Sequence, residues 1–141
     1  PVQEPAVLPH LCTNRNWAVD LNLEVALRPK GSDTGATISR GNFKGMYWNM
    51  AQMLAHATSN GCNTFPCDLF ASGTVSGTTP DSCGSLIEMT WRGKNPIPLP
   101  GGATRTFLQD GDEVILHGRC ERDGLALSFG ECSGVITPAL G

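Results

Sequence analysis

The stretch Asp20-Leu-Asn-Leu-Glu-Val-Ala-Leu27 alternates polar and apolar residues, so Leu21, Leu23, Val25 and Leu27 share one face. A period of two is the signature of a half-buried strand, and such a strand needs antiparallel neighbours and a covering layer. The turn Pro29-Lys-Gly-Ser-Asp-Thr-Gly35 then leads into a short return strand that begins at Ala36-Thr-Ile-Ser39. Further on, the tight turn Asp110-Gly-Asp112 precedes the strand Glu113-Val-Ile-Leu-His117, and Leu125 to Phe129 forms another. Between these lies one strong helical pattern, from about residue 42 to 59. Its stripe is Phe43, Met46, Tyr47, Met50, Met53, Leu54 and Ala57. Ser39 or Asn42 can cap its start, and Asn60-Gly61 supplies a left-handed stop. The expected fold is therefore α+β and β-rich, with the Met and aromatic stripe turned to the core. Residues 1–16, with prolines at 1, 5 and 9, read as a connector.

The 141 residues suit one domain able to bury a core without metal or disulfide support. A net charge of −3 and singly scattered Lys and Arg give no reason to expect nucleic acid or an anionic membrane as partner. No apolar run approaches the roughly 20 residues that span a bilayer. Six cysteines are spread along the whole chain, and the Cys62–Cys67 spacing has no matching second pair. Reduced, mostly buried thiols are expected, which makes the cytoplasm the default location.

Cys67 to Trp91 reads as a pocket wall: an apolar strand start, a small-residue elbow at Ser72-Gly-Thr74, a turn, and a second strand carrying Glu88. Alternation along that strand would set Leu86, Glu88 and Thr90 on one face. On a solvated face Glu88 is an ordinary surface residue. On a covered face its carboxylate must pair with a donor, for which an imidazole is suited. The hydroxyls of Thr74 and Ser76 can bind an anionic group beside the bare elbow, or simply face outward. His10, His56 and His117 have no local acid or cysteine partner. Asp110, Asp112 and Glu113 lack the spacing of a calcium loop, and no metal cage or complete triad is present.

Five strings in one order resemble the C-terminal part of the fumarylacetoacetase family. They are Asn42-Phe-Lys-Gly-Met-Tyr-Trp-Asn-Met50, Asn60-Gly-Cys-Asn63, Asp68-Leu-Phe-Ala-Ser-Gly-Thr-Val-Ser-Gly77, Gly84-Ser-Leu-Ile-Glu88 and Leu108-Gln-Asp-Gly-Asp-Glu-Val-Ile115. The likeness runs from about Leu8 to Leu140. It implies that residues 17–141 are the C-terminal part of a catalytic domain built as a mixed β-sandwich roll. The implied enzyme is a cytoplasmic homodimer that uses Ca²⁺ or Mg²⁺ to hydrolyse a carbon–carbon bond. Its small-molecule substrate is 4-fumarylacetoacetate, split into fumarate and acetoacetate in tyrosine and phenylalanine catabolism. By the same resemblance, Glu88 matches the glutamate that orients the catalytic histidine, and Thr74 matches a threonine contacting a substrate carboxylate. The family's metal ligands, catalytic histidine, and Arg and Lys lie upstream of anything here, so the chain alone is expected to be inactive. Cys67 departs from the family's usual Gly, which puts the backbone leading to Thr74 in question. A related hydrolase or decarboxylase of another oxo-acid, and a non-catalytic β-rich module, are the alternatives.

Overall fold

The computed structural model of the protein describes residues 2–14 and 17–140; parts of the expected connector, at positions 1, 15 and 16, lie outside these. The alternating segment is strand β1 (Asn22–Arg28), which pairs antiparallel with β2 (Ala36–Asn42) across the expected turn. The main helix, α1 (Met50–Thr58), and a four-residue helix, α2 (Leu86–Met89), follow. A short ribbon of β3 (Ile97–Pro98) and β4 (Thr104–Arg105) then precedes β5 (Glu113–Arg122) and β6 (Leu125–Val135). The four long strands form one antiparallel sheet in the order β2-β1-β5-β6. A β-rich α+β chain with one main helix is thus what the sequence adopts.

Register places Val25 opposite Leu116 and Leu27 opposite Val114, so the apolar positions of β1 and β5 fall on one face. The other face is charged: Glu24 accepts from Thr37 at 2.8 Å and from Arg40 at 3.0 Å, and Arg28 pairs with Glu113. Strands β5 and β6 run farther than alternation alone indicated. Asp123 and Gly124 join them with φ of 51° and 79°, the left-handed pair that a two-residue hairpin turn needs.

Asp112 is wholly buried rather than a simple turn residue. Its carboxylate takes two bonds from the Arg105 guanidinium, 2.7 Å to Oδ2 and 2.8 Å to Oδ1, and a third from the Gln109 N–H at 2.9 Å. The Lys30 N–H lies at 3.4 Å, and the Asp112 carbonyl accepts from Ile136 N–H at 2.8 Å. One side chain therefore joins the β1–β2 turn, β4 and the start of β5, and its backbone adds the segment after β6. Gly111 (φ 92°) permits this, because a Cβ there would fall 2.6 Å from Lys30 Cδ.

The single helix expected over residues 42–59 is divided. Asn42 caps only the 3₁₀ turn Phe43–Gly45, accepting from Lys44 N–H at 2.8 Å. Asn49 then starts α1 with a capping box: its side chain accepts from Gln52 N–H at 2.9 Å, and Gln52 Oε1 accepts from Asn49 N–H at 3.1 Å. The apolar stripe is not a buried core. Met50 and Leu54 are 49% and 47% exposed, whereas Gln52 is buried and donates to Leu11 carbonyl at 2.9 Å. The helix instead borders an apolar groove of about 1310 Å³, with Leu8, Met46, Trp48, Met53, Phe65 and Phe70 among its walls. The six thiols are free, as expected, but none is buried. No helix among the described residues is long and apolar enough to cross a membrane.

Strand β6 is exposed along its length and carries Leu125, Leu127, Phe129 and Val135 at 56–78% exposure. An open apolar edge is a template for pairing, so the isolated chain should self-associate; a monodisperse monomer by light scattering over a concentration series would contradict this. Asp112→Ala should lower stability by about 3–5 kcal/mol in denaturant titration, because it strands Arg105. Arg105, chiefly, holds the Asp112 carboxyl below the usual carboxylate range. Its stabilisation is therefore complete above the unfolded-state pKa and fades as pH falls through the lower folded value, a loss that acid unfolding of D112A should lack.

Candidate functional site

The segment from Ala71 to Gly77 is an irregular limb that doubles back through the 3₁₀ turn Pro80–Ser82. Gly77 N–H donates to Ser82 carbonyl at 2.8 Å, and Gly84 N–H donates to Ser76 Oγ at 3.0 Å. Ser39 on β2 ties this hairpin to the sheet by donating to Cys83 carbonyl at 2.7 Å. The limb and the returning chain lie very close: a Cβ on Gly84 would fall 2.4 Å from Val75 O and 2.7 Å from Thr74 Cγ2. Contacts below 3 Å to backbone cannot be relieved cheaply, so Gly84 fixes how near Thr74 stands to the second limb. Upstream, Cys67 has φ 76°, the conformation a Gly would take without cost. Cys67 takes this conformation although it carries a side chain.

Glu88 is not on a strand. Ser85 opens α2, with Met89 N–H donating to Ser85 carbonyl at 3.2 Å and Thr90 N–H to Leu86 carbonyl at 2.9 Å. The apolar alternation of Leu86 to Trp91 suggested a strand, but Ser85-Leu-Ile-Glu88 carries the Ser-x-x-Glu pattern of a helix start. That was the signal available in the sequence. Trp91 and Arg92 end the helix with positive φ, at 52° and 60°.

The helical start brings Glu88 back toward the limb. Its Oε2 accepts from Ser85 Oγ and from Ser76 Oγ, each at 2.8 Å. These hydroxyl bonds, Ser85 first and Ser76 next, hold the exposed carboxyl below the ordinary glutamate range. Ser76, which sequence patterning leaves as a possible outward residue, is thus a direct partner of Glu88. Thr74 is exposed, two residues from Ser76 on the same limb. Among the described residues, the one imidazole within 4 Å of a carboxylate is His117, 3.9 Å from Glu131 on the sheet.

An ionised carboxylate beside a hydroxyl-bearing limb can orient a hydrogen-bond donor and hold an anionic group. An unactivated hydroxyl is a weak nucleophile, and the carboxylate repels developing negative charge. Divalent Ca²⁺ or Mg²⁺ requires several converging oxygens, and no group of three or more His, Cys, Asp or Glu gathers among the described residues. The residues present do not fit such an ion.

The profile described as "Fumarylacetoacetate (FAA) hydrolase C-terminal" matches residues 5–134. The chain belongs to the fumarylacetoacetate hydrolase family. It is 51% identical over 140 residues to fumarylacetoacetase of Mus musculus and 50% identical over 140 residues to that of Homo sapiens. The enzyme of Arabidopsis thaliana is 47% identical over 139 residues. In each case 99% of this chain is covered but 33% of the relative, so the chain spans about a third of the length of the curated relatives it matches. Within the fumarylacetoacetate hydrolase family fold, the close approach at Gly84 is a sharp test of the site. Gly84→Ala should cost about 1–3 kcal/mol and displace the amide resonances of Thr74 and Val75. An unchanged spectrum at both residues would remove Gly84 from the site's construction.

Proposed function

We propose that this chain is the C-terminal part of a fumarylacetoacetase catalytic domain, residues 17–141 of a mixed β-sandwich roll. The whole enzyme hydrolyses 4-fumarylacetoacetate to fumarate and acetoacetate, in tyrosine and phenylalanine catabolism. It works as a cytoplasmic homodimer with Ca²⁺ or Mg²⁺ bound by ligands outside this chain. The observation that carries the reading is the ionised Glu88, fastened by hydroxyls beside Thr74, in a chain about half identical to fumarylacetoacetases.

Cleaving a β-diketone with water needs an activated nucleophile and stabilisation of the enolate that departs. Glu88 serves the first need indirectly. As an anion it accepts the N–H of a histidine from the upstream part, selecting the tautomer whose other nitrogen takes a proton from water. It also stabilises the imidazolium that results. The Thr74 hydroxyl donates to a substrate carboxylate and fixes the substrate's position. The metal, when bound, supplies charge stabilisation.

The chain alone should leave fumarylacetoacetate absorbance unchanged with Mg²⁺ or Ca²⁺ present; clear turnover would sink this division of labour. Reconstituted with the upstream portion of the mouse relative, it should turn over. Glu88→Gln in that complex should lower kcat by about 10²–10⁴-fold. Thr74→Val should raise KM by about tenfold or more, as expected for a lost hydrogen bond to a charged group. Wild-type rates in E88Q would overturn the role given to Glu88.

A further inference from the structure

Both hydroxyl bonds to Glu88 fall on one carboxylate oxygen. Ser76 reaches Oε2 from the limb and Ser85 reaches it from the start of α2, each at 2.8 Å. Ser76 is itself held, because Gly84 N–H donates to its Oγ at 3.0 Å. A serine hydroxyl has one proton, so accepting from Gly84 leaves that proton for Glu88. The three groups form a directed chain, from backbone N–H to hydroxyl to carboxylate. Its length is set by the limb-to-limb distance that only a residue without Cβ at position 84 allows.

A carboxylate on a surface helix would ordinarily sample several rotamers, and ordering it for a partner would cost entropy. Two donors on one oxygen fix the torsions beforehand and leave the hydroxyls no claim on Oε1. We propose that Ser76 and Ser85 are positioning residues: together they clamp Oε2 of Glu88 so that Oε1 is presented to the group this carboxylate serves. Gly84 sets the spacing of that clamp. The role in catalysis rests on the reading of Glu88 given above; the clamp itself does not.

Hydrogen bonds lower the Glu88 carboxyl, the Ser85 and Ser76 hydroxyls first and the Ser85 and Gly84 N–H groups after them. Asp81 and Cys83, the titratable groups on the turn that returns beside it, take no part in that effect. The clamp can therefore be read directly. In the ¹³C-glutamate-labelled chain, with the Glu88 signal assigned by its loss in E88Q, Ser76→Ala and Ser85→Ala should each move the Glu88 titration midpoint upward. Ser76→Thr, which keeps the hydroxyl, should restore it. In the complex reconstituted with the upstream portion of the mouse relative, S76A should lower kcat about tenfold with KM unmoved, and S76T should recover it.

An unchanged midpoint in S76A and S85A, with native amide spectra, overturns the clamp. So does loss of the native spectrum in both variants, since hydroxyls whose removal unfolds the segment are braces. If the midpoint moves but E88Q leaves turnover intact, the clamp stands and the catalytic reading of Glu88 falls. If E88Q abolishes turnover while the midpoints stay fixed, the reverse holds.

Discussion

A single buried ion pair sets the frame on which the candidate site hangs. Asp112 lies wholly out of solvent, and removing its partner would leave a charge that the interior cannot stabilise. The pair survives because every lone pair of the carboxylate is directed at a donor: two N–H groups of Arg105 and the backbone of Gln109, with Lys30 N–H at longer range. These partners come from separate parts of the chain, so the pair fixes where β5 begins relative to the β1–β2 turn. From there the register passes across the sheet, β5 to β1 and β1 to β2. Ser39 on β2 then fastens the hairpin that carries Thr74, Ser76 and Glu88.

The site uses hydroxyls and backbone where many sites use charge. Among the described residues, hydrogen bonds rather than a Lys or Arg lower the Glu88 carboxyl. The arrangement depends on small residues at close quarters. Gly77 and Gly84 both stand where a Cβ would collide with the opposite limb, at 2.4 Å from Ser82 Oγ and Val75 O respectively.

Apolar surface tells of a different constraint. One face of α1 opens on a wide groove, and β6 shows leucines and a phenylalanine to solvent. Periodicity assigned the α1 stripe to a core, but among the described residues Met50 and Leu54 stand about half exposed. The curated relatives that the chain matches are about three times as long.

Sequence by itself determined the elements whose chemistry is local. The alternation of residues 20–27 wrote β1, and Asn60-Gly61 marked where α1 stops, though not where it starts. The family strings identified Glu88 and Thr74 as the residues worth attention, and Ser-x-x-Glu carried the short helix that apolar alternation obscured. Only the tertiary structure decided the rest. Asp112 looks like any turn aspartate until Arg105, seven residues away, folds back onto it. Ser76 and Ser85 are ordinary hydroxyls until Gly84 lets two limbs approach within contact distance. The physical reason is the same in both cases. Burial and hydrogen-bond direction are set by what the chain brings alongside a residue, and no local pattern encodes that neighbour.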